Sequence, residues 1–290
     1  MTDQMLAGVG AAVEYIESHL ESRPDLDQVA AAAHYSKYHL HRIFSEAVGI
    51  PVHEYVRRRR LTEAAGKLTG AGAPILDIAL DCGYESQRAF TTAFREMYKL
   101  SPAEYRRRGN FYPLQMPFSL RFETSGNLCS PDEIRPAKKE DIPAWMDLVW
   151  QTVGGYPYLT EQGYLPDLQK SIAEQRAFLW EDAGQAAGIL IFSPESAAID
   201  FIGIHPQYRK QNIFSAFLNR LRMEYPSCRR FQITTYRDQD KADPGYRRDL
   251  LRLGFLPDRL LTEYGYPTQR FLLPISPQEE FTCARKSFYF

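Results

Sequence analysis

The sequence predicts two domains in series, an all-α half followed by an α/β half. Three observations carry this reading. The chain has 290 residues, about twice the usual domain size. Residues 8 to about 108 read as helix after helix, whereas the apolar period changes from Ile134 onward. The helical half also repeats itself at an offset of 50 residues. The predicted layout is a helical domain over residues 1–110, a linker over 111–131 and an α/β domain over 132–290.

Val9, Val13, Ile16 and Leu20 recur at helical spacing, and the run stops at Ser22-Arg23-Pro24. A short helical segment from Leu26 to Ala33 leads through His34-Tyr35 to Ser36. Ser36 is a good N-cap for a helix carrying Leu40, Ile43, Phe44 and Ala47 on one face, closed by Gly49. Val52 to Thr69 forms a longer helix, ended by Gly70-Ala71-Gly72-Ala73-Pro74. Then the pattern returns: Ile75, Ile78 and Ala79 open a short helix, Gly83-Tyr84 turn the chain, and Ser86 caps a helix with Phe90, Ala93 and Phe94 inside. At the common offset Ser36 matches Ser86, Leu40 matches Phe90, Phe44 matches Phe94 and Tyr55 matches Tyr105, while Pro51-Val52 lies close to Ser101-Pro102. Two copies of a helix-turn-helix are the economical reading, with Tyr55 and Tyr105 as core pins.

Asn110 to Pro136 is punctuated by Pro113, Pro117, Gly126 and Pro131 and reads as a linker with one strand, Ser119 to Glu123. Beyond it, Ala177 to Trp180, Gly188 to Phe192, Ala198 to Ile204 and Phe231 to Thr235 read as strands. Helices are expected near residues 142–152, 165–174, 213–224 and 246–253.

Hydrophobic residues at 44% and charged residues at 24% exclude a disordered chain. No apolar run is long enough to span a bilayer, and Met1-Thr2-Asp3-Gln4 lacks the pattern of a signal peptide. Cys82, Cys129, Cys228 and Cys283 are far apart and form no C-x-x-C pair, so reduced thiols and a cytoplasmic location are expected. The net charge of −1 conceals an uneven distribution. Residues 1–35 hold one Lys/Arg against six Asp/Glu, residues 36–110 hold 13 against eight, and the remainder 21 against 22. A basic block therefore coincides with the repeated helices.

A helix that reads the major groove presents polar side chains outward while its inner face is pinned to a core. On the Ser36 helix the outward set is Lys37, Tyr38, His41 and Arg42; on the Ser86 helix it is Gln87, Arg88, Thr91 and Thr92. Arg pairs with guanine through two hydrogen bonds, Gln with adenine, and Thr or Tyr meets the thymine methyl. A connector of roughly 18 to 20 residues spans about 30 Å, close to the ~34 Å turn of B-DNA, so the two helices fit successive major grooves of one duplex. Arg57-Arg58-Arg59-Arg60 and Arg106-Arg107-Arg108 flank this arrangement, with Arg57, Arg58, Arg106 and Arg107 as candidate phosphate contacts. A solvated face is the ordinary alternative for an arginine run, and Arg60 also suits a stem packed on the core. His39 and His41 lack partners at metal-ligand spacing, so no metal is expected, and His39 is read as facing inward.

Ile75-Leu76-Asp77-Ile78-Ala79, Gly83-Tyr84-Glu85-Ser86, Phe90, Phe94-Arg95 and Ser101-Pro102-Ala103-Glu104-Tyr105-Arg106 resemble the signature of the AraC/XylS family of bacterial transcription regulators. The resemblance covers about residues 8–108, with Lys99 standing where the family usually has glycine. It implies a homeodomain-like pair of DNA-reading units, and a separate domain that senses a signal or mediates assembly.

The second half offers another outline. Ile134-Arg135-Pro136-Ala137 before Asp141-Ile142 reads as a strand entering a helix, and Asp200-Phe201-Ile202-Gly203-Ile204-His205-Pro206 as a strand ending at proline. Tyr208-Arg209, a helix with Ala216, Phe217, Leu218 and Leu221 inward, a strand at Phe231 and Leu251-Arg252-Leu253-Gly254-Phe255 follow. In this order they resemble the GNAT N-acetyltransferase fold over about residues 132–274. The resemblance implies an acetyl-CoA or other acyl-CoA site at Ile202, Ile204, Arg209, Lys210, Gln211, Asn212 and Ile213, where backbone N–H groups would cradle a pyrophosphate. The family's glycine-rich loop is not kept: the chain reads Arg209-Lys210-Gln211-Asn212-Ile213-Phe214, and Phe214 would crowd the pyrophosphate, although Asn212 tolerates a left-handed turn. At the family's usual acid position stands Leu250, which holds no proton; Tyr246, Asp200 and Glu195 are the weak catalytic candidates. These departures point to a binding domain in place of an enzyme. Trp145, Tyr156 and Tyr158 are the candidate ligand-pocket residues, ordinary core packing being the alternative for the tryptophan, and Gly154-Gly155-Tyr156-Pro157 reads as a lid.

The function expected is a sequence-specific DNA-binding transcription regulator whose second domain senses a small molecule or CoA derivative. The alternative gives that domain N-acetyltransferase activity. Double-stranded DNA, an effector and RNA polymerase are the candidate partners, and no membrane partner is expected.

Overall fold

Three serines set the beginnings of helices in the first half. Ser36 Oγ accepts from the His39 amide at 3.4 Å, Ser86 Oγ from the Ala89 amide at 3.2 Å and Ser101 Oγ from the Glu104 amide at 3.3 Å. Each satisfies an amide that the first helical turn leaves without an intrahelical acceptor. In the computed structural model, which describes residues 3–22, 24–70, 72–117, 120, 129–152, 161–209 and 211–275, seven α-helices precede a mixed sheet. They are α1 (Asp3–Ser18), α2 (Leu26–Ala32), α3 (Lys37–Val48), α4 (Val52–Thr69), α5 (Ile75–Asp81), α6 (Gln87–Tyr98) and α7 (Pro102–Arg108).

These helices surround two cores with α4 as their shared wall. Val9, Ile16, Leu40, Phe44, Val52 and Tyr55 belong to the first core, and Leu61, Leu68, Ile78, Phe90, Phe94 and Tyr105 to the second. Tyr55 and Tyr105 are fully buried, and both place their hydroxyls on polar partners. Tyr55 donates to Glu17 at 2.7 Å, and Tyr105 donates to the Tyr112 carbonyl at 3.0 Å while accepting from the Tyr112 amide at 2.9 Å. Burial of these rings is thus achieved without stranded hydroxyls.

The segment read as a linker begins as part of the second core. Tyr112 and Leu114 are buried there, and the Leu114 and Gln115 amides donate to Thr62 Oγ1 at 3.1 and 3.2 Å. Residues 118, 119 and 121–128 lie outside the described residues, and with them most of the strand anticipated at Ser119 to Glu123.

The second half is the anticipated α/β layout. Strands β1 (Arg135–Pro136), β2 (Ala177–Asp182), β3 (Gln185–Ser193), β4 (Ala198–Ile204), β5 (Arg230–Tyr236), β6 (Leu256–Glu263) and β7 (Tyr266–Pro274) form one sheet in the order β1-β2-β3-β4-β5-β7-β6. Neighbours are antiparallel except β4 and β5, which pair in parallel at Ala198↔Gln232 and Ile199↔Ile233. Helices α8 (Ile142–Thr152) and α9 (Glu161–Ala173) bury Trp145, Leu148 and Leu168 against Leu179 and Ile189 of the sheet. Helices α10 (Ile213–Glu224) and α11 (Tyr246–Arg252) bring Phe217, Leu221 and Leu250 into a separate core with Phe192, Phe231 and Phe271. Strands β6 and β7, missing from the sequence reading, form a hairpin whose turn residues Tyr264 and Gly265 have φ of 49° and 71°.

Two loops leave the C-terminal ends of the parallel strands. After β4 the chain passes a short 3-10 turn, Pro206–Tyr208, into α10; after β5 residues 237–245 lead into α11. Both loops touch the helical half. Arg209 donates to the Val48 carbonyl at 3.4 Å, Arg58 to the Ala242 carbonyl at 2.8 Å, and Lys99 Nζ lies 2.8 Å from Asp240 Oδ1.

Candidate nucleic-acid interface

Helix α3 pins Leu40, Ile43, Phe44, Ala47 and Val48 to the first core, and α6 pins Phe90, Phe94, Met97 and Tyr98 to the second. What remains faces solvent near each N-terminus. Lys37, Tyr38, His41 and Arg42 are exposed on α3, with Tyr38 at 81%; on α6, Gln87, Arg88 and Thr92 are exposed and Thr91 is half-buried. Lys37 also pairs with Asp27 of α2 at 3.3 Å, and Thr92 donates to the Arg88 carbonyl at 3.1 Å. His39 sits half-buried and stacks on the Tyr35 ring at a centroid distance of 4.8 Å. Among the described residues no group of His, Cys, Asp and Glu could hold a metal ion.

The arginine run requires a correction. Four consecutive residues on a helix sample every face, and α4 has packed neighbours on several of them, so half of the run is buried. Arg58 is only 3% exposed and donates to Glu54 at 2.9 Å as well as to the Ala242 carbonyl, so it is withdrawn from any phosphate. Arg59, equally buried, is held by Glu17 at 2.8 Å, by Glu63 at 3.0 Å and by the Gln115 carbonyl at 3.1 Å. Arg60 donates to the Leu20 carbonyl at 3.0 Å. Arg57 is half-buried and reaches Glu96 of α6 at 3.0 Å. Arg106 is half-buried too, with its guanidinium on the Ala73 carbonyl, whereas Arg107 and Arg108 are exposed. Arg107 is thus the one of the four proposed phosphate contacts that stands open to solvent.

Cys82 lies beside this surface, buried under α4 and α5, and burial pushes its thiol up to about 11. A thiol with so little thiolate near neutrality reacts slowly. At pH 8 the native chain is therefore expected to resist iodoacetamide at Cys82 while the unfolded chain is alkylated there; mass spectrometry of the tryptic peptide distinguishes the two.

The loops of the second half depart from the sequence reading at several points. Trp145 is fully buried and its Nε1 donates to Tyr164 at 2.9 Å, so it belongs to the core. Tyr156 and Tyr158, with the Gly154-Gly155 segment, lie outside the described residues, as does Lys210. Asn212 takes up the left-handed turn with φ of 47°, Gln211 is half-buried, and Ile213 is buried in the core. Ile202 and Ile204 pack half-buried against the same core, and the Phe214 ring lies toward Phe255 with a centroid distance of 6.1 Å.

Of the acid–base candidates, the Asp200 carboxyl is pushed up by burial, against the hydrogen bond from the Ser193 hydroxyl and the charge of Arg176. Tyr246 is half-buried, with its hydroxyl 3.3 Å from Arg209 and 3.4 Å from the Thr152 carbonyl. Leu250 is buried in the core. The sequence reading had no place for the contacts of Lys99 with Asp240 and of Arg209 with Val48. A lysine at the position that matches Gly49 at the offset of 50 was the available signal for the first.

A family model described as a helix-turn-helix domain matches residues 29–108. Over 93 residues the chain is 45% identical to the transcriptional regulator Rob of Salmonella typhimurium, covering 32% of this chain and 32% of that protein. The matched part thus spans about a third of that relative. Over 96 residues it is 40% identical to the regulatory protein SoxS of the same species, covering 33% of this chain and 90% of SoxS. Among solved structures, an acetyltransferase of the GNAT family from Bacillus cereus covers 49% of this chain and 95% of its own, at 14% identity and a TM-score of 0.39.

Proposed function

Since this chain belongs to the AraC family of helix-turn-helix transcription regulators, we propose that it binds double-stranded DNA sequence-specifically through α3 and α6 and so regulates transcription. The observation that carries the reading is the pair of exposed polar sets, Lys37, Tyr38, His41 and Arg42 on one helix and Gln87, Arg88, Thr91 and Thr92 on the other. The 18-residue connector α4 is about 27 Å long, comparable with the spacing of successive major grooves. Arg107 and Arg57 supply charge for the phosphates, and RNA polymerase is the candidate protein partner. Selection from a pool of random 40-bp duplexes tests this. The expected outcome is an enriched site with two elements about 10 bp apart and an affinity that falls steeply with salt. A pool that stays random after selection would overturn it.

For the second domain we infer a sensory role. Arg209 is a cation of the β4–α10 loop that also contacts the α3 C-terminus, so an anionic small molecule or CoA derivative that takes Arg209 competes with the Val48 carbonyl. No catalytic step is assigned: Leu250, buried in the core, holds no proton at the position where the GNAT resemblance would put the acid. Isothermal titration with acetyl-CoA, repeated with the selected duplex present, tests the inference: a heat that shifts with DNA supports it, and no heat at millimolar ligand removes CoA derivatives from consideration.

A further inference from the structure

The two reading helices end alike. At the common offset of 50, Gly49 and Lys99 are the C-caps of α3 and α6, and both are left-handed, with φ of 83° and 60°. Glycine adopts this conformation freely, whereas lysine pays for its Cβ. A side chain retained there needs a compensating contact, and Lys99 has one in the other half of the molecule. Its Nζ lies 2.8 Å from Asp240, whose side chain is 3% exposed and also accepts from the Tyr266 hydroxyl at 3.0 Å and the Ala242 amide at 2.9 Å. At the equivalent cap of α3, Arg209 donates to the Val48 carbonyl, and its Cδ lies 3.2 Å from where a Cβ on Gly49 would stand.

Both caps are therefore held by the second domain, one by each loop that leaves the parallel pair β4 and β5. Arg58, midway along the connector, is held by the same β5–α11 loop through the Ala242 and Lys241 carbonyls. The strands pair near the start of β4, at Ala198↔Gln232 and Ile199↔Ile233, so both loops grow from one sheet, and that sheet joins the two caps by a route separate from the connector helix.

We propose that Lys99, Asp240 and Arg209 are positioning residues through which the second domain clamps the reading helices at equivalent caps and fixes their spacing and rotation. The functional part rests on the reading roles of α3 and α6; the clamp itself does not. A free α4 would flex and twist, and the two helices would tolerate half-sites at several spacings. The clamped pair accepts one.

The test uses the full chain with Cys129, Cys228 and Cys283 replaced by serine and spin labels on the exposed positions Glu46→Cys and Arg95→Cys. Electron–electron double resonance is expected to give one narrow distance for the parent chain. The Lys99→Gly, Arg209→Ala double variant should give a broad one, with helix content and melting of the helical half unchanged, since glycine relieves the cap. Lys99→Arg, which keeps the cation, should stay narrow where Lys99→Gly broadens. On a selected duplex, inserting one base pair between the half-sites should weaken the parent chain, and that penalty should shrink by about fivefold or more in the double variant. Coincident distance distributions in parent and double variant would overturn the clamp. Because the distance measurement contains no DNA, a parent chain that selects no sequence overturns the reading role alone.

Discussion

Replacing His41 and Arg88 together by alanine is expected to lower affinity for the selected duplex by about 10²- to 10⁴-fold, since a well-placed base contact contributes roughly 1–3 kcal/mol. Both residues are exposed near the N-terminal ends of helices whose opposite faces are locked in core, so neither substitution removes packing. Melting temperature should stay put. The single variants should each relax preference within one half-site and leave the other intact, because the two helices address different grooves. Arg107→Ala makes a contrast: an exposed cation near the end of α7 should lower affinity for all sequences alike and reduce the salt slope by about one. Fluorescence anisotropy on matched and scrambled duplexes reads all four proteins. Undiminished preference in the double variant would remove His41 and Arg88 from the reading surface.

The parts of this molecule that were legible in its sequence are those governed by local rules. Ser36 and Ser86 announce helices because a serine hydroxyl replaces an acceptor that the first turn lacks, and the apolar spacing behind each fixes which face turns inward. The offset of 50 followed from the same spacing. Rules that depend on the surroundings were not legible. In the run Arg57 to Arg60, the surroundings of α4 decide which guanidiniums are withdrawn: the β5–α11 loop takes Arg58, and Glu17 with the Gln115 carbonyl takes Arg59. Trp145 is an amphipathic aromatic suited to a pocket or a core, and the choice falls to Tyr164, 19 residues away, whose hydroxyl accepts the indole proton. Strand β6 is an edge strand whose residues from Leu256 to Leu260 are all exposed, so it shows no inward period; the hairpin signal lay in Tyr264-Gly265. Lys99 looked like a departure from pattern and became intelligible only with Asp240 beside it.

The second large effect follows from that same arginine run. Arg59→Ala is expected to destabilise the helical half by about 3 kcal/mol, the lower end of the range for breaking a buried ion pair. The lower end applies because Glu17 and Glu63 keep side-chain exposures of 22% and 52% and regain some hydration when the guanidinium is removed. Three contacts go at once: Glu17 on α1, Glu63 on α4 itself, and the Gln115 carbonyl on the segment after α7. Arg59 thus joins the first helix of one unit to the segment that closes the other, and its loss should broaden unfolding as well as lower the midpoint. Arg59→Lys should recover only part of the loss, since an ammonium cannot present the planar fork that meets Glu17 through both Nε and a terminal nitrogen. Urea denaturation followed by circular dichroism reads both variants. Were Arg59→Ala to leave the midpoint unmoved while weakening DNA binding as Arg107→Ala does, Arg59 would belong among the phosphate contacts after all.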